Sequence, residues 1–381
     1  MCTLEHLLGP KQSFRKGSSL SQTARMVRDQ KTYTRTQGQP TFVNEEIKMN
    51  KRNIRAAVAS LFVGALLVGA IAGPAHAKTD IKVGVIAISS MGAVQYAQDS
   101  GIFKKNSLNV SEFVTFPAPP PGLAALNSGA VQFMYSPSIP VINSIANGGM
   151  KLKIVAAADG YRKADVKEAL VDEAFAARLD DTGVCIAKSG TVKTWKDLAG
   201  KTVSVPARGA QGEVTIAAAV KKAGGDPKTI NWVVLGFPEV QAAVSRGTIA
   251  AGFVVEPFTT ACATAEAALK GPGTQFFTEG GAVGVWVTTE KFAKANPAAV
   301  KAFQTSIYAA NKAGMDSKTL NTVVRASMKI TKQTFAVAKS ANPTFYPSNV
   351  LTAEVQSVAD KMRTLGFLTK KFSASGLILS R

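Results

Sequence analysis

The sequence predicts an α/β protein of two lobes, joined by a two-strand hinge with a ligand cleft between them. Short apolar, β-rich runs alternate with Ala-rich helical stretches between about residues 81 and 289, the pattern of mainly parallel sheets. After Thr289 the strand signals stop and three long helical patterns follow. Two connectors, Asp180-Asp181-Thr182-Gly183 and Gly280-Gly281-Ala282-Val283-Gly284, bracket a βαβ block. A chain that leaves one domain, builds a second and returns to finish the first has two crossings, and hence a hinge and a cleft.

The elements follow from local composition. Strands are expected at 81–88, 110–116, 131–135, 153–157, 183–187, 202–205, 231–234, 252–255 and 284–288, each rich in Val, Ile or aromatic residues and bounded by turn residues. Helices are expected at 93–98, 122–127, 140–146, 213–223, 238–245 and 257–268, then at 298–313, 317–340 and 352–365, the last three each opened by a Pro, Ser or Thr start signal. The proline-rich stretch Pro117-Ala118-Pro119-Pro120-Pro121 reads either as a rigid loop shaping the cleft mouth or as an extended linker.

The N-terminal region reads differently. Lys51, Arg52 and Arg55 precede an apolar run from Ala56 to Gly73, which ends in Pro74-Ala75-His76-Ala77. A basic start, an apolar centre and an A-x-A exit make a secretory signal peptide cleaved after Ala77, with a retained anchor as the alternative. No cysteine follows the apolar run, which argues against a lipoprotein. Residues 1–48 are polar and aperiodic, so Met49 is the expected start of translation and 1–48 a non-native extension. The expected division is therefore 1–48 extension, 49–77 signal peptide, 78–182 with 285–381 lobe I, and 183–284 lobe II.

Composition narrows the function classes. The 381 residues carry 45 Lys+Arg against 25 Asp+Glu, with 46% hydrophobic residues, so disorder and a disulfide-dense miniprotein are excluded. From Lys78 on there are 34 basic and 21 acidic residues, a net +13 that favours anionic ligands or surfaces. The two histidines, His6 and His76, both precede the cleavage point. Processing leaves no imidazole for a Ser-His or Cys-His nucleophile, a general base or most zinc sites. No catalytic residue, metal or cofactor is expected. Gly200-Lys201-Thr202 lacks the earlier glycine of a phosphate-binding loop, since Trp195 stands there. Cys185 and Cys262 remain in the exported chain as a disulfide or as two buried thiols.

Ligands of open parallel sheets bind outside the carboxyl ends of the strands. The loops there supply Ser89, Ser90 and Met91 after the first strand, Ser136 and Ser138 after the third, and Ala207, Arg208, Gly209 and Gln211 after 202–205. Each opens a helix, where free N–H groups attract anions, and Arg208 adds a fork donor for carboxylate, sulfonate or phosphate. Glu256 follows 252–255 and either binds a ligand amine, pairs with Arg208 or caps its own helix. Trp286 and Tyr161 are candidates to stack on a ligand ring. Paired carboxylates such as Asp172-Glu173 and Asp180-Asp181 read as solvated surface.

Several segments resemble the nitrate/sulfonate/taurine-type solute-binding proteins of ABC importers, a group similar to the thiamine-pyrimidine-precursor binders. They are 97–108, 123–133, the block Asp197-Leu198-Ala199-Gly200-Lys201-Thr202-Val203, the block 243–258 ending in Glu256-Pro257-Phe258, and 292–297. Gln132 and Ala251 stand where that family often has Asp. The resemblance implies a type II periplasmic-binding fold and a monomer that closes on a small anionic solute and docks on a membrane permease, without nucleic acid. It maps ligand contacts to Ser89, Ser90, Ser136, Ser138, Ala207, Arg208, Gly209 and Glu256. The alternatives are an enzyme of the same fold acting on a pyrimidine-type molecule, or a ligand-dependent sensor.

Overall fold

The computed structural model describes residues 79–381; the expected extension and signal peptide lie outside the described residues. Ten strands form two five-stranded sheets. The first contains β1 (Thr79–Ile86), β2 (Leu108–Phe116), β3 (Phe133–Pro137), β4 (Leu152–Tyr161) and β10 (Gly281–Thr289), in the order β2-β1-β3-β10-β4. The second contains β5 (Thr182–Ile186), β6 (Thr202–Val205), β7 (Asn231–Val234), β8 (Ala251–Val255) and β9 (Ala267–Lys270), in the order β7-β6-β8-β5-β9.

The pairings correct the expectation of mainly parallel sheets. β1 pairs β2 and β3 in parallel, and β6 pairs β7 and β8 likewise, but β10 is antiparallel to both β3 and β4, and β5 to both β8 and β9. In each sheet four strands share one direction and the fourth in order opposes them. The opposed strands, β5 and β10, are those that the chain enters directly after crossing between the sheets. Their starting ends therefore lie beside the carboxyl ends of the other strands.

Other differences are local. The expected helix over 257–268 stops early: Phe258–Ala265 is helical and Ala267–Lys270 is β9. Alanine does not distinguish the two states strongly, and pairing with β5 decides for the strand. The expected helix over 317–340 is two helices, Leu320–Thr331 and Phe335–Ser340, parted at Lys332, whose φ of 58° is left-handed. The prolines at 119–121 form neither a loop nor a linker; they make the first turn of helix Pro119–Ser128, where a missing N–H costs nothing.

Packing follows from side-chain alternation and aromatic stacking. Phe303, on helix Pro297–Gly314, stacks on Phe133 with ring centres 3.9 Å apart and on Phe103 at 5.8 Å, while Trp286 meets it edge-on at 5.5 Å. The C-terminal chain also covers the edge of β4: Ile154 N donates to the Leu377 carbonyl, Leu379 N to the Ile154 carbonyl, and Gly160 N to the Phe345 carbonyl. A covered edge cannot pair with another molecule's strand. In the second sheet Cys185 of β5 and Cys262 of helix Phe258–Ala265 are disulfide-bonded, with Cα atoms 5.8 Å apart. Among the described residues no helix is long and apolar enough to cross a membrane.

Candidate functional site

A cavity of about 30 Å³ lies between the two sheets. Its walls are strand ends and the loops beyond them: Ile86 and Ile88 after β1, Tyr135 and Pro137 on β3, Phe253 and Val255 on β8, and Pro206, Ala210, Gln211 and Gly212 after β6. Pro119, Phe237 and Val283 complete the apolar wall. The polar contribution comes from Asp159 on β4, from Asp181 and Thr182 at the start of β5, and from Gln211 and the Tyr135 hydroxyl.

The two crossing segments are fastened at one point beside this cavity. Asp180 is fully buried; its Oδ1 accepts from Thr182 N at 2.9 Å, Thr182 Oγ1 at 2.7 Å and the Tyr161 hydroxyl at 2.8 Å, and its Oδ2 accepts from Thr274 N at 2.6 Å. The Tyr161 hydroxyl also lies 2.9 Å from Asp181 Oδ1. Tyr161 thus belongs to the crossing. Asn342 adds a third strap by donating to the carbonyls of Ala177 and Asp180.

Asp159 is 4% exposed. Its Oδ1 accepts from Gly284 N at 3.0 Å, and Oδ2 has no hydrogen-bond partner. Gly284 is required here, because a Cβ at this position would collide with the Asp159 carboxylate. Burial pushes the Asp159 carboxyl up from its ordinary pKa, while the nearby Ser90 and Tyr135 hydroxyls and the Gly284 amide favour its charged form. Burial pushes Asp181 well up, with Asp159 and Asp180 adding to the effect. The Tyr135 hydroxyl is raised for the same reasons, burial first and Asp159 second.

Of the residues expected from sequence, this geometry brings some to the cavity and leaves others elsewhere: Ser89 N donates to the Glu256 carbonyl at 2.9 Å and Ser90 lies beside Asp159. Ser89 and Ser90 form the turn after β1, and their hydroxyls are buried without partners. Met91 is fully buried in the core, and Ser136 donates to the adjacent Pro137 carbonyl. Ser138 opens helix Ser138–Ala146 with an unpartnered buried hydroxyl. Gln211 lines the cavity at the head of helix Gln211–Lys222. Trp286 is 2% exposed and packs on Tyr135 and Phe303, so it supports a wall residue.

Arg208 is engaged within the chain. Its Nε donates to Glu213 Oε2 at 2.9 Å and its Nη2 to Glu213 Oε1 at 2.8 Å, and Gly209 N donates to Glu213 Oε2 at 2.6 Å. The fork, the left-handed Gly209 turn and the helix start do build an oxyanion site, but the chain's own Glu213 carboxylate fills it. Ala207 and Gly209 belong to that turn and do not line the cavity. Glu256 resolves in the same way: it accepts from Thr260 N at 3.1 Å, Thr260 Oγ1 at 2.9 Å and Asn342 N at 3.2 Å, capping the helix that follows it. Asp159 was missed by reading only the loops after strands, and Asp180-Asp181, expected as solvated surface, is not: Asp180 is fully buried and Asp181 lines the cavity. Asp159 lies inside β4, which runs four residues further than expected, and Asp181 lies just before an opposed strand.

A family model described as NMT1/THI5 like matches residues 175–319, less than half of the chain. No curated protein sequence matches. Among solved structures, the alkanesulfonate-binding protein SsuA from Xanthomonas axonopodis pv. citri, bound to MOPS, is 18% identical with a TM-score of 0.63, covering 79% of this chain and 98% of its own. The periplasmic nitrate-binding protein NrtA from Synechocystis PCC 6803 is 14% identical with a TM-score of 0.60, covering 76% and 82%. The desulfurization enzyme DSZB is 10% identical with a TM-score of 0.56, covering 79% and 96%. The fold is therefore that of the periplasmic binding proteins, and it also serves an enzyme.

Proposed function

We propose that the protein is the extracytoplasmic solute-binding component of an ABC importer, capturing a small solute by hinge closure and delivering it to a membrane permease. The observation that carries this reading is the cavity itself, walled by strand ends from both sheets and flanked by two crossing segments fastened at Asp180. Such a site binds by bringing its two walls together, and the solute selects the closed form only through contacts made to both. The SsuA and NrtA likenesses support export to the periplasm and a permease partner. In this reading the hinge is formed by 180–183 and 280–284, with 78–182 and 285–381 as lobe I and 183–284 as lobe II.

A solute that binds the folded chain raises its melting temperature, by about 2.7 kcal/mol of stability at a hundred times the dissociation constant. The expected result is a selective rise with one solute class, and loss of uptake of that solute when the gene is deleted. The DSZB likeness favours a second reading, an enzyme on the same fold. Conversion of the bound solute to product by the purified protein decides for that reading.

A further inference from the structure

We propose that Asp159 and Asp181 form the recognition centre for a solute carrying a protonated amine or amidinium on an apolar body, an assignment that rests on the solute-binding reading. The cavity wall holds these two carboxyls and no Lys, Arg or His. Apart from Thr182, Gln211 and the Tyr135 hydroxyl, its other surfaces are apolar, Phe237 and Phe253 among them. Two carboxylates facing one enclosed space repel each other unless a proton or a cation lies between them.

The unpartnered oxygen is the independent sign of a ligand. Asp159 Oδ2 is buried and has no protein donor within ordinary hydrogen-bond geometry, although the Ser90 and Tyr135 hydroxyls lie close enough to favour its charged form, and Ser90 Oγ is itself without a partner. A buried carboxylate oxygen without a donor is costly, and a solute N–H satisfies it. The chain's own cations do not fill this role: Arg208 is gripped by Glu213, outside the cavity wall. Among the described residues no group of three or more His, Cys, Asp or Glu is placed to hold a metal ion. A space of about 30 Å³ admits one water-sized or ammonium-sized group. A larger apolar body enters only as the walls part, and it then lies against the two phenylalanines.

The protonation behaviour gives the assignment a direction. Burial holds both carboxyls above their ordinary range, so cation binding displaces protons from the site. Tyr135, Tyr161, Tyr346, Asp180 and Glu256 are the other titratable groups that act on the pair. The tyrosines stay neutral because their own pKa values are raised, and Asp180 and Glu256 are held by hydrogen bonds. Cation affinity therefore increases as pH rises, whereas an anion held by protonated carboxyls is favoured as pH falls.

The test is isothermal titration of the full exported protein with benzamidine and benzylamine, against benzenesulfonate and nitrate as the anionic series. The expected result is binding of at least one cation, tightening from about pH 5 to about pH 8. The affinity should fall roughly tenfold to a hundredfold in Asp159→Asn and Asp181→Asn, since each loses a charge-assisted hydrogen bond. Circular dichroism establishes that each variant is folded, and Asp181→Asn carries the test if Asp159→Asn is not. Cation binding that both variants leave unchanged overturns the assignment. Binding of the anions alone overturns it too, while leaving the solute-binding reading intact. No heat with either series overturns both.

Discussion

At the scale of single residues, the instructive case is an anion site that the protein occupies itself. Arg208, Gly209 and a helix start have the chemistry of an oxyanion holder, and that much was legible in the sequence. The occupant was not, because Glu213 was read only as the beginning of a helix, five residues from the arginine it binds. Arg208→Ala is therefore expected to lower stability by about 1 kcal/mol, the range of a half-exposed ion pair, and to leave solute affinity within roughly twofold. Urea unfolding and titration of the same variant check the two halves. A large loss of affinity without a loss of stability would return Arg208 to the binding site. Asp159 shows the converse limit: Ala156-Ala157-Ala158-Asp159-Gly160 looks like a strand running out into a turn. Burial of its carboxylate depends on β10, more than a hundred residues away.

At the scale of elements, most strands and helices were legible because their periodicity and turn residues agree with their burial. The exceptions are those in which a neighbour decides. β9 is a run of Ala267-Ala268-Leu269-Lys270 that has little preference of its own and becomes a strand against β5. The same corner carries the Cys185–Cys262 bond, which closes a loop of 77 residues around the core of the second sheet. Replacing both cysteines with serine should cost about 4 kcal/mol by the loop-closure argument, read as a lower midpoint in urea with the reduced wild type as control. An unchanged midpoint would mean that the helix and β5 hold their places by packing alone. Sheet direction was only half legible: the parallel strands follow from the alternation with helices, but nothing local announces that β5 and β10 run against their neighbours.

At the scale of the whole molecule, the notable quantity is the number of carboxyls whose pKa burial raises. Asp159, Asp180, Asp181 and Glu256 are all raised, with desolvation the leading cause. In the unfolded chain they ionise near pH 4, and in the folded chain only at higher pH. Their contribution therefore favours the folded state most at low pH and is withdrawn as pH rises from about 4 through the folded values. Exposed Asp197, Glu266 and Glu290 are held low by hydrogen bonds and act in the opposite sense, adding stability above about pH 4 that is lost on acidification. The expected outcome is a melting temperature that falls between about pH 5 and pH 8, with a smaller fall in the double variant Asp159→Asn, Asp181→Asn. Calorimetry across that range measures it, and an identical slope in the double variant would locate the effect elsewhere.

The strand order also bears on how the chain comes to be folded at all. β10 is made from residues 281–289 yet lies between β3 and β4, so the first sheet is split down its middle until the last quarter of the chain has been made. A nascent chain ending at Lys270 can complete the second sheet, but in the first it leaves β3 and β4 with bare edges facing each other. Contacts this distant in sequence form slowly. Synthesis from the N-terminus thus leaves the first sheet open until β10 is made, and a chain with an open sheet is one that can still be threaded through a membrane pore.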